Sequence, residues 1–313
     1  MSNLIYSNQR QAYGEELLAL GAKNPNIVVC DADLSKSTMT YPFSQKYPER
    51  FFEMGIAEAN MTGFAAGLSL AGKIAVTNSF AVFSAGRSYD QIRQGIAIGK
   101  LNVKINGSSA GLSDFGDGAT HQSVEDIAIM RAIPNMTVLV PADSPQLRRM
   151  VHWMMDHAGP VYLRICRNNL PEICPADVDP VRPAVMMEGS DLALVACGVM
   201  VYPAMQAARA LREEGVSCRV INVPCLKPFP DEEVARLCRG VKGVVTAEEH
   251  SIIGGLTSAV AWALRGSGLP LEAVAIMDMF GQSAQNVEEL MAHYHLTDRD
   301  IVQKAKAVLA SRS

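Results

Sequence analysis

Short apolar runs of strand length recur along the chain, separated by longer segments whose apolar residues return every third or fourth position. The first helical pattern covers 11–20 and stops at Gly21, a residue suited to closing a helix. Ile27-Val28-Val29-Cys30 then reads as a buried strand that empties into a polar loop, Asp31-Ala32-Asp33-Leu34-Ser35-Lys36-Ser37-Thr38. The alternation predicts helices over 54–72, 84–99, 123–131 and 144–157, with strands over 74–77, 101–105, 137–140 and 161–164. Helices between short apolar strands predict a parallel sheet covered on both faces.

Residues 168–189 break the rhythm with Pro171, Pro175, Pro180 and Pro183 among acidic side chains, and read as a linker. A second unit follows, with strands predicted over 192–196, 217–223, 243–246 and 273–277. Its helices are predicted over 202–214, 231–238, 256–264, 287–294 and 298–309. The pattern thus predicts an α/β fold of two doubly wound open-sheet domains, 1–167 and 190–313, joined by the linker.

Composition narrows the class. At 313 residues a single core nears its size limit, which agrees with two domains. A hydrophobic share of 49% excludes a disordered chain, and a net charge of -4 without a basic run speaks against nucleic acid. The seven cysteines form no Cys-x-x-Cys pair and several sit in apolar runs, as expected of buried thiols in a reducing cytoplasm. No signal-peptide pattern is read at the N-terminus, and no apolar run approaches the ~20 residues that span a bilayer.

Candidate chemistry falls at the ends of the predicted strands. Glu58 lies in Met54-Gly55-Ile56-Ala57-Glu58-Ala59-Asn60, among small apolar residues at a helix start. It serves either the helix dipole or a site that needs a desolvated carboxyl. Phe80 and Phe83 stand where the 74–77 strand gives way to a loop, as core residues or as a platform for a flat ring. The loop 107–122 crowds Asp114, Asp117 and His121 among glycines that permit close backbone approach to a ligand. Arg10 and Arg167 are surface arginines or anion grips. No Gly-x-Gly-x-x-Gly follows a strand, so dinucleotide binding has little support.

In this order the pieces resemble the C-terminal half of transketolase, and most of all the separate C-terminal subunit of split transketolases. The likeness rests on Asp31-Ala32-Asp33-Leu34-Ser35-Lys36-Ser37, on Gly55-Ile56-Ala57-Glu58-Ala59-Asn60-Met61 and on Ser79-Phe80-Ala81-Val82-Phe83. Asp117-Gly118-Ala119-Thr120-His121-Gln122, Gly159-Pro160-Val161-Tyr162 and Glu248-Glu249-His250 extend it over nearly the whole chain. Several of these motifs are shared with deoxyxylulose-phosphate synthase and with β subunits of 2-oxo-acid dehydrogenases. Those enzymes, and a non-catalytic scaffold with the same fold, are the rival readings.

The resemblance implies a pyrimidine-binding domain followed by a transketolase C-terminal domain. It also implies thiamine diphosphate shared with an N-terminal partner subunit, which holds the diphosphate and its Mg2+ or Ca2+, in an α2β2 assembly acting on sugars. Gly116-Asp117-Gly118 imitates the metal motif of such enzymes. The Asn pair that should follow about two dozen residues later is missing, because Asn135 is single and Asn168-Asn169 too distant. This chain is therefore expected to bind no metal. Glu58 would hydrogen-bond N1′ of the aminopyrimidine and promote loss of the thiazolium C2 proton. Phe80, Phe83 and Asp33 would help hold the cofactor. Asp117 and His121 would contact sugar hydroxyls, and Arg10, Ser37 and Arg167 a distant anionic group.

One position departs from the family. A substrate-binding His is usual where Ser109 stands, and Phe115-Gly116 replaces Gly-Glu before the Asp-Gly pair. A donor other than a standard pentose or hexose phosphate, such as a sulfonate or a modified sugar, is the expectation.

Overall fold

A computed structural model describes residues 4–311. Its largest sheet has seven strands: β2 (Ile27–Asp31), β3 (Phe51–Glu53), β4 (Ile74–Phe80), β5 (Val103–Ser108), β6 (Thr137–Leu139), β7 (Val161–Arg164) and β12 (Cys225–Lys227). Their order is β12-β6-β7-β5-β4-β2-β3, and all pairs are parallel except β12 with β6. The five-stranded sheet comprises β9 (Ala184–Met187), β10 (Leu192–Ala196), β11 (Cys218–Asn222), β13 (Gly243–Ser251) and β14 (Leu271–Ile276), in the order β14-β13-β10-β11-β9. Only β9 runs antiparallel there. The central strands are buried along their whole length, so both faces need cover, and apolar runs rather than alternation encode them.

The expected α/β fold with two parallel-rich sheets is the fold observed. Several features escaped the periodicity, among them the strand β3 and the break of the helix predicted over 84–99 into the π-helical turns Val82–Arg87 and Ile92–Ala97 around Tyr89–Gln91. The 168–189 stretch holds β8 (Asn169–Pro171), paired with β1 (Tyr6–Asn8), and ends in β9, the edge of the second sheet. The helix predicted from 54 begins only at Glu58, because Gly55 takes a φ of +67° and Ala57 is not helical. Finally, β12 leaves the second unit to close the open edge of the first sheet.

The second unit is thus packed into the first. One continuous apolar core joins Ile105, Met130, Val138 and Tyr162 to Val195, Ile221, Leu226 and Val260. On the far face of the seven-stranded sheet, the helices Gln9–Lys23 and Ser144–Asp156 cover a second core around Tyr13, Leu17 and Met150.

Candidate active site

Parallel strands deliver their C-terminal ends to one edge, and the loops there carry the polar residues. Glu58 opens the helix Glu58–Leu70, where free backbone N–H groups favour a carboxylate. It is 5% exposed, and its Oε1 accepts a hydrogen bond from Arg87 Nη1 at 3.1 Å. Oε2 receives no donor among the described residues. The lead-in to Glu58 is tied to the 31–38 loop through Glu53, whose Oε1 accepts from the backbone N–H of Asp33 and of Gly55.

β4 ends at Phe80, and a π-helical turn, Val82–Arg87, follows at once. Such turns recur at functional sites because the extra residue redirects side chains. Here Phe83 lies near-parallel to Phe80 with centroids 6.1 Å apart, and the Arg87 guanidinium covers the Phe83 ring at 4.3 Å. The imidazole of His121 stands edge-on to both rings, 5.2 Å from Phe83 and 6.2 Å from Phe80. A buried carboxyl, two stacked rings and an imidazole thus share one side of the strand ends.

A second group gathers nearby. Asn8 caps the first helix by accepting from the N–H of Arg10, and its Nδ2 donates to the carbonyl of Arg167 at 2.8 Å. One side chain therefore sets the backbones of both arginines. Arg10 Nη1 donates to the Ser37 carbonyl at 3.0 Å, and Arg167 Nη1 to Asp114 Oδ2 at 2.9 Å. Burial and the neighbouring Arg167 charge lower the Arg10 pKa, while burial raises that of Asp114 against the pull of Arg167. Ser37 sits on a loop shaped by Asp31, which accepts from Thr38, Thr40 and the N–H of Leu34. Burial raises Asp31 to about 6.

The loop bearing Asp114, Asp117 and His121 is clamped by the second unit. Glu249 of β13 accepts the Leu112 N–H at 2.9 Å, Ala284 donates to the Phe115 carbonyl, and Gln122 donates to the carbonyls of Asp114 and Gln282. Gly111, at a φ of +64°, lies where any Cβ would collide with the Glu249 carboxylate. Ser109 is fully buried with a φ of +51°, and its hydroxyl has no partner.

Residues 7–172 match the family described as transketolase, pyrimidine binding domain, and residues 184–301 that described as transketolase, C-terminal domain. The chain belongs to the transketolase family. It is 41% identical over 306 residues to a transketolase C-terminal section of Methanocaldococcus jannaschii, covering 96% of each chain. It is 40% identical over 302 residues to a 6-deoxy-6-sulfo-D-fructose transketolase subunit of Clostridium sp., covering 96% of this chain and 94% of that one. A solved split gene transketolase, described as an inactive β4 tetramer, superposes with a TM-score of 0.87 at 46% identity, over 97% of this chain and 98% of that one.

Against that family frame, the transketolase resemblance read from the motifs stands. The structure brings Glu58, Phe80, Phe83 and His121 together, and Arg10, Ser37, Arg167 and Asp114 together. Asp33 lies exposed with a φ of +61°, its backbone rather than its side chain engaged. Asp117 precedes the turn Gly118–Thr120 and sits at the mouth of the loop. Three residues were missed. Arg87 follows Phe83 by one helical turn, a spacing that could have flagged it. Asp114 was seen among the loop acids without a role, and Glu249 lay unread inside a quoted motif.

Proposed function

We propose that the chain is the C-terminal subunit of a thiamine-diphosphate-dependent transketolase, moving a two-carbon ketol unit from an anionic ketose to an aldose. A partner polypeptide would supply the diphosphate and metal site. The observation that carries the reading is the desolvated Glu58 at a helix start, linked through Arg87 to the face of Phe83 and close to His121.

These residues fit the cofactor's aminopyrimidine: a flat ring finds aromatic faces, and its N1′ a carboxyl oxygen, Oε2, without another donor. When bound, thiamine diphosphate supplies the carbanion chemistry, and the protein tunes its protonation. Glu58 hydrogen-bonds N1′ and holds a proton at that atom. Arg87 has to give up Glu58 and the ring face of Phe83, since both are surfaces the pyrimidine requires. His121 moves a proton to or from a sugar hydroxyl, and Asp117 orients the sugar. Arg10, Ser37 and Arg167 hold the distant end of the donor. Exposed Ile253, Met277, Met279 and Phe280, at and beyond the ends of β13 and β14, offer apolar area for self-association into an α2β2 assembly. Among the described residues no helix is long and apolar enough to cross a membrane, and no cluster of His, Cys, Asp and Glu could hold a metal; the cytoplasm is the proposed location.

Glu58→Gln in the enzyme reconstituted with its partner tests the assignment. Turnover is expected to fall by roughly a thousandfold, in the range of general acid–base contributions, with cofactor still bound. Wild-type turnover would reject the role. Pyruvate consumption without ketol transfer would instead place the chain with the synthases or oxo-acid dehydrogenases.

A further inference from the structure

The distant end of the pocket carries its own counter-ion. Burial and the Arg167 charge both lower the Arg10 pKa, and Asp114 takes one edge of Arg167. Asp114 is 4% exposed, and its main chain is held in place: its carbonyl accepts from Gln122 and that of Ser113 from Asn168. Asp117 and His121 face the same carboxylate. Ser109 adds only a buried hydroxyl without a partner. Two guanidiniums therefore meet the donor's end group with one of them already half-neutralised.

We propose that Asp114 is a specificity-determining residue that lowers this subsite's preference for a phosphate dianion and so admits a compact monoanion, a sulfonate, as the donor's end group. The inference rests on the transketolase reading above, with Arg10, Ser37 and Arg167 at the anion end. A phosphate monoester carries close to two negative charges at neutral pH, whereas a sulfonate carries one. The second charge is repelled by the Asp114 carboxylate. About 6 Å away, at an effective dielectric of about 40, that repulsion corresponds to roughly a tenfold loss. The free edge of Arg167 and the buried Nε of Arg10, which has no partner, remain to bind sulfonate oxygens.

The test compares a C6-sulfonated with a C6-phosphorylated fructose as donors to one aldose acceptor, using the enzyme reconstituted with its partner subunit. The wild type is expected to use the sulfonate with a kcat/KM within about tenfold of the phosphate. Asp114→Asn keeps the size and an acceptor for Arg167 but removes the charge. It is expected to shift the preference at least tenfold toward the phosphate, through KM rather than kcat. Should that variant fail to assemble, Asp114→Ser gives the same comparison. An unchanged preference ratio, or a shift confined to kcat, would overturn the assignment of Asp114. If Arg167→Ala leaves both anionic donors unaffected, the fault lies instead with the anion-end reading itself.

Discussion

Two arginine–carboxylate clusters in this protein use the same groups to opposite ends. Arg164 is 5% exposed and meets Asp126 and Glu249, exposed by 0% and 3%. Its Nε donates to both Asp126 oxygens, Nη1 to Glu249 Oε2 and Nη2 to the Glu249 carbonyl, while Tyr162 donates to Asp126 at 2.7 Å. Burial opposes its charge, but the two carboxylates raise the Arg164 pKa above the ordinary arginine value. Arg87 is 55% exposed and gives Glu58 a single bond. The first cluster is satisfied on every side and locks the two sheets together behind the loop that carries His121. The second has one hydrogen bond, one ring face and an exit to solvent. The difference shows that partner count and exposure, not the ion pair itself, separate a structural lock from a removable latch.

That contrast can be broken by substitution. Arg164→Ala strands Asp126 and Glu249 without a cation, and a loss of about 3–5 kcal/mol in unfolding free energy is expected. Chemical denaturation measures it, and a loss below about 1 kcal/mol would erase the distinction between lock and latch.

Lys104 shows burial with no carboxylate at hand. It is fully buried and donates only to the carbonyls of His157 and Gly159, and burial lowers its pKa to about 7. The ordinary value, 10.5, applies to the unfolded chain. Between those values the unfolded chain binds the extra proton. The contribution of Lys104 is therefore complete above 10.5 and is lost as pH falls toward 7. The slope is about 1.4 kcal/mol per pH unit. Lys104→Met should flatten stability against pH between 7 and 8.5, and an unaltered slope would show that the ammonium is paired or hydrated after all.

The smallest effect is expected at the latch. Arg87→Ala should cost no more than about 1 kcal/mol, as half-exposed pairs do, yet thiamine diphosphate should bind faster to the assembled enzyme, followed by stopped-flow fluorescence. Slower binding would mean that Arg87 receives the cofactor rather than yielding to it.

The sequence displayed the elements whose signal is local. Ile27–Asp31 and Val161–Arg164 are continuous apolar runs, and Ser144–Asp156 repeats its buried positions at helical spacing. The strands Phe51–Glu53, Asn169–Pro171 and Cys225–Lys227 are three residues each and, unlike Thr137–Leu139 inside the apolar run 136–140, lie in no such run. Only distant partners define them. The site divides in the same way. Glu58, Phe83 and His121 were readable because each stands at a strand or helix end within a recognisable motif. Arg87, Asp114 and Glu249 acquire meaning from bonds to Glu58, Arg167 and Leu112, which lie 29, 53 and 137 residues away. A carboxylate's partner across such separations is set by topology, which periodicity does not encode.

The excursion of Cys225–Lys227 has one further consequence. A gene truncated between the sheets would strip the Thr137–Leu139 strand of its antiparallel neighbour and bare a ready template for self-pairing. The two halves are interleaved through this strand and share one apolar core, so neither closes its own sheet edge without the other.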